Sequence, residues 1–370
     1  MATTLIVTND FPPRIGGIES FVGEVCGLLD DDVVVYTSGP AGSEQTDRER
    51  AYPVVRDGTV LLPTQRVRDR AIDLFRAHGC SRVVFGAAAP LGLLARALRR
   101  AGASDIIGLT HGHEVWWSTL PGSRQLLRRV GDGCDHLTTI SDYTAGRIGP
   151  ALSPGARGRL LRLPPPVDSE AFHPGPRNPT GSRRCIAVGR FVPQKGFTTL
   201  LRAWRQVLDR PAGGTSPAEL VLVGDGPQRP RLEALIREFD LDQTVRLTGA
   251  LGRTQVIEEL RRAAVFALPV RTRLAGLNPE GLGLAGLEAA ACGLPVIIGR
   301  SGGAPETVRP GRSGFVLDPD DVPAWAARIG DLLDDPGRSH TMGEQGRELV
   351  LERFGLDAAR ATLRAALRLG

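Results

Sequence analysis

Lysine is nearly absent from this chain. Of 46 basic residues in 370, all but one are arginine, and the exception is Lys195, inside "GRFVPQKGF" at 189–197. Coding bias accounts for arginine in general. A single surviving lysine in a glycine-flanked loop suggests a place where a compact ammonium on a flexible stem fits and a planar guanidinium does not. Other absences exclude whole classes. No run approaches the roughly 20 apolar residues of a membrane span, so any membrane contact is expected to be peripheral. The opening "TTLIVTND" enters a strand pattern at once, without the basic and apolar regions of a signal peptide, and a cytoplasmic protein is expected. The five cysteines (Cys26, Cys80, Cys134, Cys185, Cys292) are odd in number and widely spaced. They read as reduced, buried thiols with no metal site. The Gly-x-Gly-x-x-Gly fingerprint is missing, which argues against an NAD-dependent oxidoreductase. No Asp-x-Asp pair suited to Mg²⁺ lies between the two halves. The net charge of +5 is mild, with both signs interspersed; this argues against a nucleic-acid partner but leaves room for a local basic patch facing phosphates or anionic lipid.

What is present is a rhythm of short apolar runs and helical patterns, given twice. The first half has runs at 4–8, 32–37, 82–86, 105–110 and 136–141, with helical patterns at 65–78 and 91–101. The second has runs at 185–189, 219–224, 245–249, 264–269 and 295–299, with helices near 196–209, 228–239, 253–263, 283–292 and 322–334. Continuous apolar runs are what buried parallel strands require, and the alternation predicts two doubly wound α/β domains. Between them, 162–182 holds six prolines and reads as a linker. Residues 210–219 read as a disordered surface loop, and 344–369 as an amphipathic helical pattern.

Several stretches are candidates for chemistry. The pair Gly16–Gly17 stands between the first strand and a helix, where bare backbone N–H groups can approach an anion or a sugar; a plain structural turn explains it too. In "THGHEVWW" (110–117), His111 follows directly on a buried strand, at the end where doubly wound folds expose function. His113 suits a structural role, a His-x-His-Glu metal site lacks a distant third partner, and at least one of Trp116 and Trp117 suits an interface. Ser123–Val130 reads as a short helix capped by Ser123. There Leu126, Leu127 and Val130 sit among Arg124, Arg128 and Arg129, a pattern that suits either anionic lipid or an ordinary surface helix. Arg190 and Lys195, ahead of a helix, make a diphosphate clamp. In "LNPEGLGLAGLEAAACGLP", Gly281, Leu282, Gly283 and Leu284 form a glycine-rich helix start that offers backbone donors to phosphate. Glu280 and Glu288 can accept from sugar and ribose hydroxyls, or be ordinary surface glutamates.

Taken in order, "PPRIGGIE", "THGHE", "GRFVPQKG", "VGDGP", "PEGLGLAGLEAAACGLPVI" and "GGAPETV" resemble the retaining nucleotide-sugar glycosyltransferases of family four. The likeness is strongest to the actinobacterial phosphatidylinositol mannosyltransferases that use GDP-mannose. It spans nearly the whole chain, departing at "PPPVD", where relatives place glycine before Val-Asp, and in the run before Glu280. The resemblance implies the GT-B fold: two Rossmann-like domains facing a central cleft. Residues 1–165 would form an acceptor-side domain onto which a C-terminal helix, 355–370, crosses back. A linker would cover 166–182 and a nucleotide-sugar domain 183–354. It implies that Gly16 and Gly17 lie near the donor phosphates and acceptor, and His111 beside the donor sugar. Arg190 and Lys195 would hold the diphosphate, Glu280 the sugar hydroxyls and Glu288 the ribose. No cofactor and no metal are implied; the partners are a nucleotide-sugar donor and a lipid-linked or small-molecule acceptor. The implied activity is transfer of a hexose, mannose from GDP-mannose, to a phosphatidylinositol (mannoside) at the inner membrane face. The alternatives are a family-four transferase using a UDP- or other nucleotide sugar on a soluble acceptor, a nucleotide-sugar epimerase, and a non-catalytic sensor.

Overall fold

Every strand described is short, apolar at its centre and parallel to its sheet neighbours. The computed structural model describes residues 3–14, 16–30, 32–39, 43–58, 60–175, 182–210 and 217–369. The chain divides into two compact units, Met1–Pro166 with Leu356–Gly370, and Val167–Gly355.

The first unit has seven strands: β1 (Thr4–Thr8), β2 (Val33–Thr37), β3 (Val54–Arg56), β4 (Arg82–Phe85), β5 (Asp105–Gly108), β6 (His136–Thr139) and β7 (Leu160–Arg162). They form one sheet in the order β3-β2-β1-β4-β5-β6-β7. Successive residues of β1 feed opposite layers: Leu5 and Val7 join the core that holds Phe85 and Ile106, while Ile6 joins the one that holds Phe21 and Val84. Burial on both faces is why these strands are apolar without alternation.

The second unit has β8 (Arg184–Val188), β9 (Glu219–Val223), β10 (Val245–Gly249), β11 (Val265–Leu268), β12 (Val296–Gly299) and β13 (Gly314–Leu317), in the order β10-β9-β8-β11-β12-β13. Helices between strands cover both sheets, so each unit is a doubly wound α/β domain of the Rossmann-like kind.

Four features differ from expectation. Residues 167–175, placed in the linker, belong to the second unit: Val167 N–H donates to Phe354 O at 2.7 Å, and Asp168 pairs with Arg253 at 2.9 Å. Positions 176–181 of that linker, and 211–216 of the loop expected to be disordered, lie outside the described residues. The pattern over 344–369 is two helices, Pro336–Arg353 and Leu356–Ala366, broken where Phe354 turns into the core. The later one returns to the first unit, where Ala359, Leu363 and Leu367 pack with Phe21, Val25 and Leu29. The pattern at 91–101 is likewise interrupted, as Ala88–Leu91, a 3₁₀ turn at Gly92–Leu94 and Ala95–Arg100. Finally, the helix expected at Ser123–Val130 is longer, Pro121–Gly133, with Pro121 in its first turn. Ser123 is therefore inside it rather than capping it, and its hydroxyl donates to Trp117 O and Leu120 O.

Candidate active site

In the second unit the carboxyl ends of β8 and β11 carry the loops expected to bind an anion. Lys195 closes a 3₁₀ turn, Pro193–Lys195, and Gly196 follows with φ 72°. A Cβ at Gly196 would sit 2.0 Å from Pro269 O, so only glycine allows the loop to lie this close to the end of β11. The helix Phe197–Leu208 starts there. The stem of Lys195 runs past Gly189, whose added Cβ would meet the lysine Cδ and Cε at 3.7 Å.

Lys195 Nζ reaches both carboxylate oxygens of Glu280, at 2.8 and 2.9 Å, across 85 residues of sequence. Glu280 is held from behind. Its N–H donates to Ser301 Oγ at 3.1 Å, and its carbonyl accepts from Gly303 N–H at 3.0 Å. Gly302, at φ 54°, allows this, because a Cβ there would fall 1.9 Å from Glu280 O. Gln194 ties the two loops: its side chain donates to Pro279 O and its carbonyl accepts from Arg271 N–H, each at 2.8 Å. Arg271 in turn bonds Asp320 and Thr199. Ser301, Gln194 and Arg271 were not singled out by sequence, since their roles depend on loops far apart in the chain.

Arg190, in the same loop as Lys195, is exposed, and among the described residues its guanidinium has no hydrogen bond or ion pair. Gly281, Leu282 and Gly283 lead into the helix Leu284–Ala291, with Gly283 at its N-cap at φ 94°. Backbone N–H groups at this start and at Phe197 are ready-made anion donors. Glu288 lies in that helix, partly exposed.

His111, Gly16 and Gly17 belong to the first unit. Gly16 is the extended residue before the helix Gly17–Leu28, and a Cβ on Gly17 would meet nothing within 4 Å. No internal contact explains the glycine at 17. His111 Nε2 lies 2.5 Å from Gly86 O; a carbonyl only accepts, so Nε2 carries the proton and Nδ1 is left as an acceptor. Its ring meets Phe21 edge-on at 5.9 Å and stacks on His113 at 6.2 Å. Burial pushes the His111 pKa down, against a smaller opposing effect of Glu114. The imidazole is therefore neutral near pH 7.

Glu114, fully buried, accepts from the N–H groups of His111 (3.0 Å) and Gly112 (3.1 Å) and faces His113 Nε2 at 3.3 Å. It fixes the turn that presents His111. Backbone N–H groups thus occupy one oxygen of Glu114, and among the described residues no three His, Cys, Asp or Glu side chains gather as metal ligands. Trp117 packs against the core, while Trp116 is 41% exposed.

Residues 168–349 match the family model of the group 1 glycosyl transferases. The chain is 42% identical over 385 residues to a GDP-mannose-dependent alpha-(1-6)-phosphatidylinositol monomannoside mannosyltransferase of Mycobacterium tuberculosis, covering all of this chain and 98% of that one. It is 41% identical to a monoacylated-substrate counterpart from Corynebacterium glutamicum, over 94% of this chain and 93% of the other. Among solved structures, it superposes on the Anabaena protein HepE in complex with UDP with a TM-score of 0.81, at 17% identity and 99% coverage of both chains. A sucrose-phosphate synthase from Thermosynechococcus elongatus gives 0.77 at 21% identity, over 99% of this chain and 98% of that one. At such identities these two likenesses are of fold, and the fold is the GT-B type of glycosyltransferases.

Proposed function

The chain belongs to the group 1 glycosyl transferases, and we propose that it moves mannose from GDP-mannose, with retention of anomeric configuration, onto a phosphatidylinositol mannoside. What carries the reading is identity of 42% along the whole chain to an enzyme of that description, joined to the Lys195–Glu280 pair in the second unit.

In this reading the second unit holds the donor. Lys195 and Arg190 grip the diphosphate, helped by N–H groups at the starts of the helices Phe197–Leu208 and Leu284–Ala291. Glu280 takes the mannose hydroxyls and Glu288 the ribose. As the C1–O bond breaks, negative charge builds on the leaving phosphate, and fixed cations and dipoles stabilise it without reorganising. The acceptor hydroxyl attacks C1 from the face GDP leaves, and its proton passes to the departing phosphate oxygen. GDP and the mannosylated acceptor result, with no metal and no carboxylate nucleophile required. Gly16, Gly17 and His111 serve the acceptor and donor sugar from the first unit.

A lipid acceptor calls for peripheral contact with the inner membrane face. Among the described residues no helix is long and apolar enough to cross a membrane. The exposed Trp116 and Leu120, beside the basic helix Pro121–Gly133, suit an anionic surface. The test is incubation with GDP-, UDP- and ADP-sugars and phosphatidylinositol monomannoside, with product mass and anomeric coupling read out. A dimannoside made from GDP-mannose alone, in the α configuration, is expected. Turnover only with UDP-sugars overturns the mannosyl assignment, and a β product overturns retention.

A further inference from the structure

Two hollows on the surface of the first unit share a wall, and that wall is arginine. Arg96 and Arg100 line both. The smaller, of about 320 Å³, lies between the helices Gln65–Ala77 and Ala95–Arg100; Arg68 completes its rim and the buried Leu94 and Ala97 make its floor. Among the described residues no carboxylate lines it. The larger, of about 660 Å³, adds Arg99, Arg159, Asp132 and Asp135. Its acids are already engaged: Asp135 takes Arg99 and the Ile106 N–H, and Asp132 accepts from the Ser153 hydroxyl. Arg96 and Arg100 differ. Both are exposed, and among the described residues neither guanidinium has a hydrogen bond or ion pair. Arg68 meets only its chain neighbour Asp69, at 2.8 Å, with side chains 40% and 53% exposed, and such a surface pair contributes little. Four residues apart on one helix, Arg96 and Arg100 share a face and repel. The helix dipole favours Arg100 in the last turn but not Arg96 in the first.

Cations gathered around a hollow without a counter-charge are unfavourable until an anion supplies one. We propose that the groove between these two helices is a phosphate-binding site: the phosphate of a monoester sits among Arg68, Arg96 and Arg100 and accepts from their guanidinium groups. Planar guanidinium forks match phosphate oxygens two at a time. A phosphate monoester carries about −1.5 to −2 charges at pH 7, which balances the three arginines better than a single carboxylate does. The apolar floor lowers the dielectric beneath the ligand and strengthens the attraction. A soluble phosphorylated metabolite and a monoester phospholipid head present the same oxygens. The residues that would grip the donor belong to the second unit, and none of the groove residues takes part in the proposed transfer, so the site stands apart from that reading.

The test uses the full chain with GDP in excess, so that phosphate does not report on Lys195 and Arg190. Inorganic phosphate is titrated calorimetrically and is expected to bind wild type, with a Kd raised about tenfold in the double variant Arg96→Gln with Arg100→Gln. Melting of that variant should hold or rise, because a repelling pair is removed, so lost binding is not lost folding. The control, Arg202→Gln with Arg237→Gln, removes equal charge from exposed positions of the second unit; its Kd should stay within about twofold, since distant surface charges are screened. Co-sedimentation with phosphatidylcholine vesicles carrying phosphatidic acid then separates the sources. Weaker vesicle binding by the groove variant than by the control assigns the phosphate to a lipid, and equal vesicle binding assigns it to a soluble ester. Absence of phosphate binding by wild type, an unchanged Kd in the groove variant, or equal weakening in groove variant and control would each overturn the site.

Discussion

Replacing Lys195 separates its pairing with Glu280 from the hold on the diphosphate proposed for it. Its ammonium lies 2.8 Å from Glu280, with side chains 22% and 11% exposed. Unit charges at that distance attract by about 6 kcal/mol in an effective dielectric of about 20, and desolvation offsets most of this. Stripping one partner from a fully buried pair costs about 3–5 kcal/mol; the partial exposure here lowers that to about 1–3. Lys195→Ala should therefore lower the melting temperature by about 2–8 °C. Its effect on turnover should be larger, because the diphosphate loses a cation where charge develops: a drop of about 10²–10³ in kcat. Adding Glu280→Gln to Lys195→Ala removes the unpaired carboxylate, so stability should recover while turnover does not. Lys195→Arg keeps the charge and is expected to melt near wild type. A planar guanidinium spreads its charge where the ammonium presents a compact point, so turnover should still fall about 100-fold. The assay is GDP release from GDP-mannose under acceptor saturation, beside melting curves. Near-normal turnover by Lys195→Arg would refute the argument that this position excludes arginine.

Three further outcomes follow from the geometry. Gly17→Ala adds a Cβ that meets nothing within 4 Å at a helical position that favours alanine by about 0.5–1 kcal/mol; melting should hold or rise while transfer falls, and unchanged transfer would leave Gly17 without a ligand role. Gly196→Ala, at φ 72° and 2.0 Å from Pro269 O, should cost at least about 2 kcal/mol in urea unfolding, from left-handed strain plus the clash, and should take turnover with it. His111 has a folded pKa below its unfolded value, held down by burial against Glu114 and Asp10, so the unfolded chain takes up a proton that the folded one refuses. Stability is unaffected above about pH 6.5 and falls as pH drops below it; melting curves from pH 7.5 to 5 should fall more steeply for wild type than for His111→Gln. In addition, Trp116→Ser with Leu120→Ser, at 41% and 58% exposed, should weaken co-sedimentation with phosphatidylinositol vesicles about tenfold without changing GDP binding.

The central strands were plain in the sequence, because burial on both faces leaves an unbroken apolar run. β3, β7 and β13, the strands that were not read, lie at sheet edges: "VVR" and "LLR" are three residues ending in arginine, and "GFVL" is only partly buried. The helix at 121 could have been placed better, since proline prefers the first helical turn. Lys195 and Glu280 stood out singly by residue type and surroundings, yet nothing local tells that residues 85 apart meet. That contact depends on the close approach of Gly196 to Pro269 and of Gly302 to Glu280. Glu114 was visible only as part of a metal pattern; its burial against two backbone N–H groups, which makes it a support for His111, is a tertiary fact.

The most direct test is a crystal structure of the chain with GDP bound. The account predicts the diphosphate within about 3 Å of Lys195 Nζ, with the Arg190 guanidinium turned onto it and the N-terminus of Phe197–Leu208 pointing at it. A diphosphate bound elsewhere, with Lys195 still closed on Glu280 and Arg190 unengaged, would contradict it.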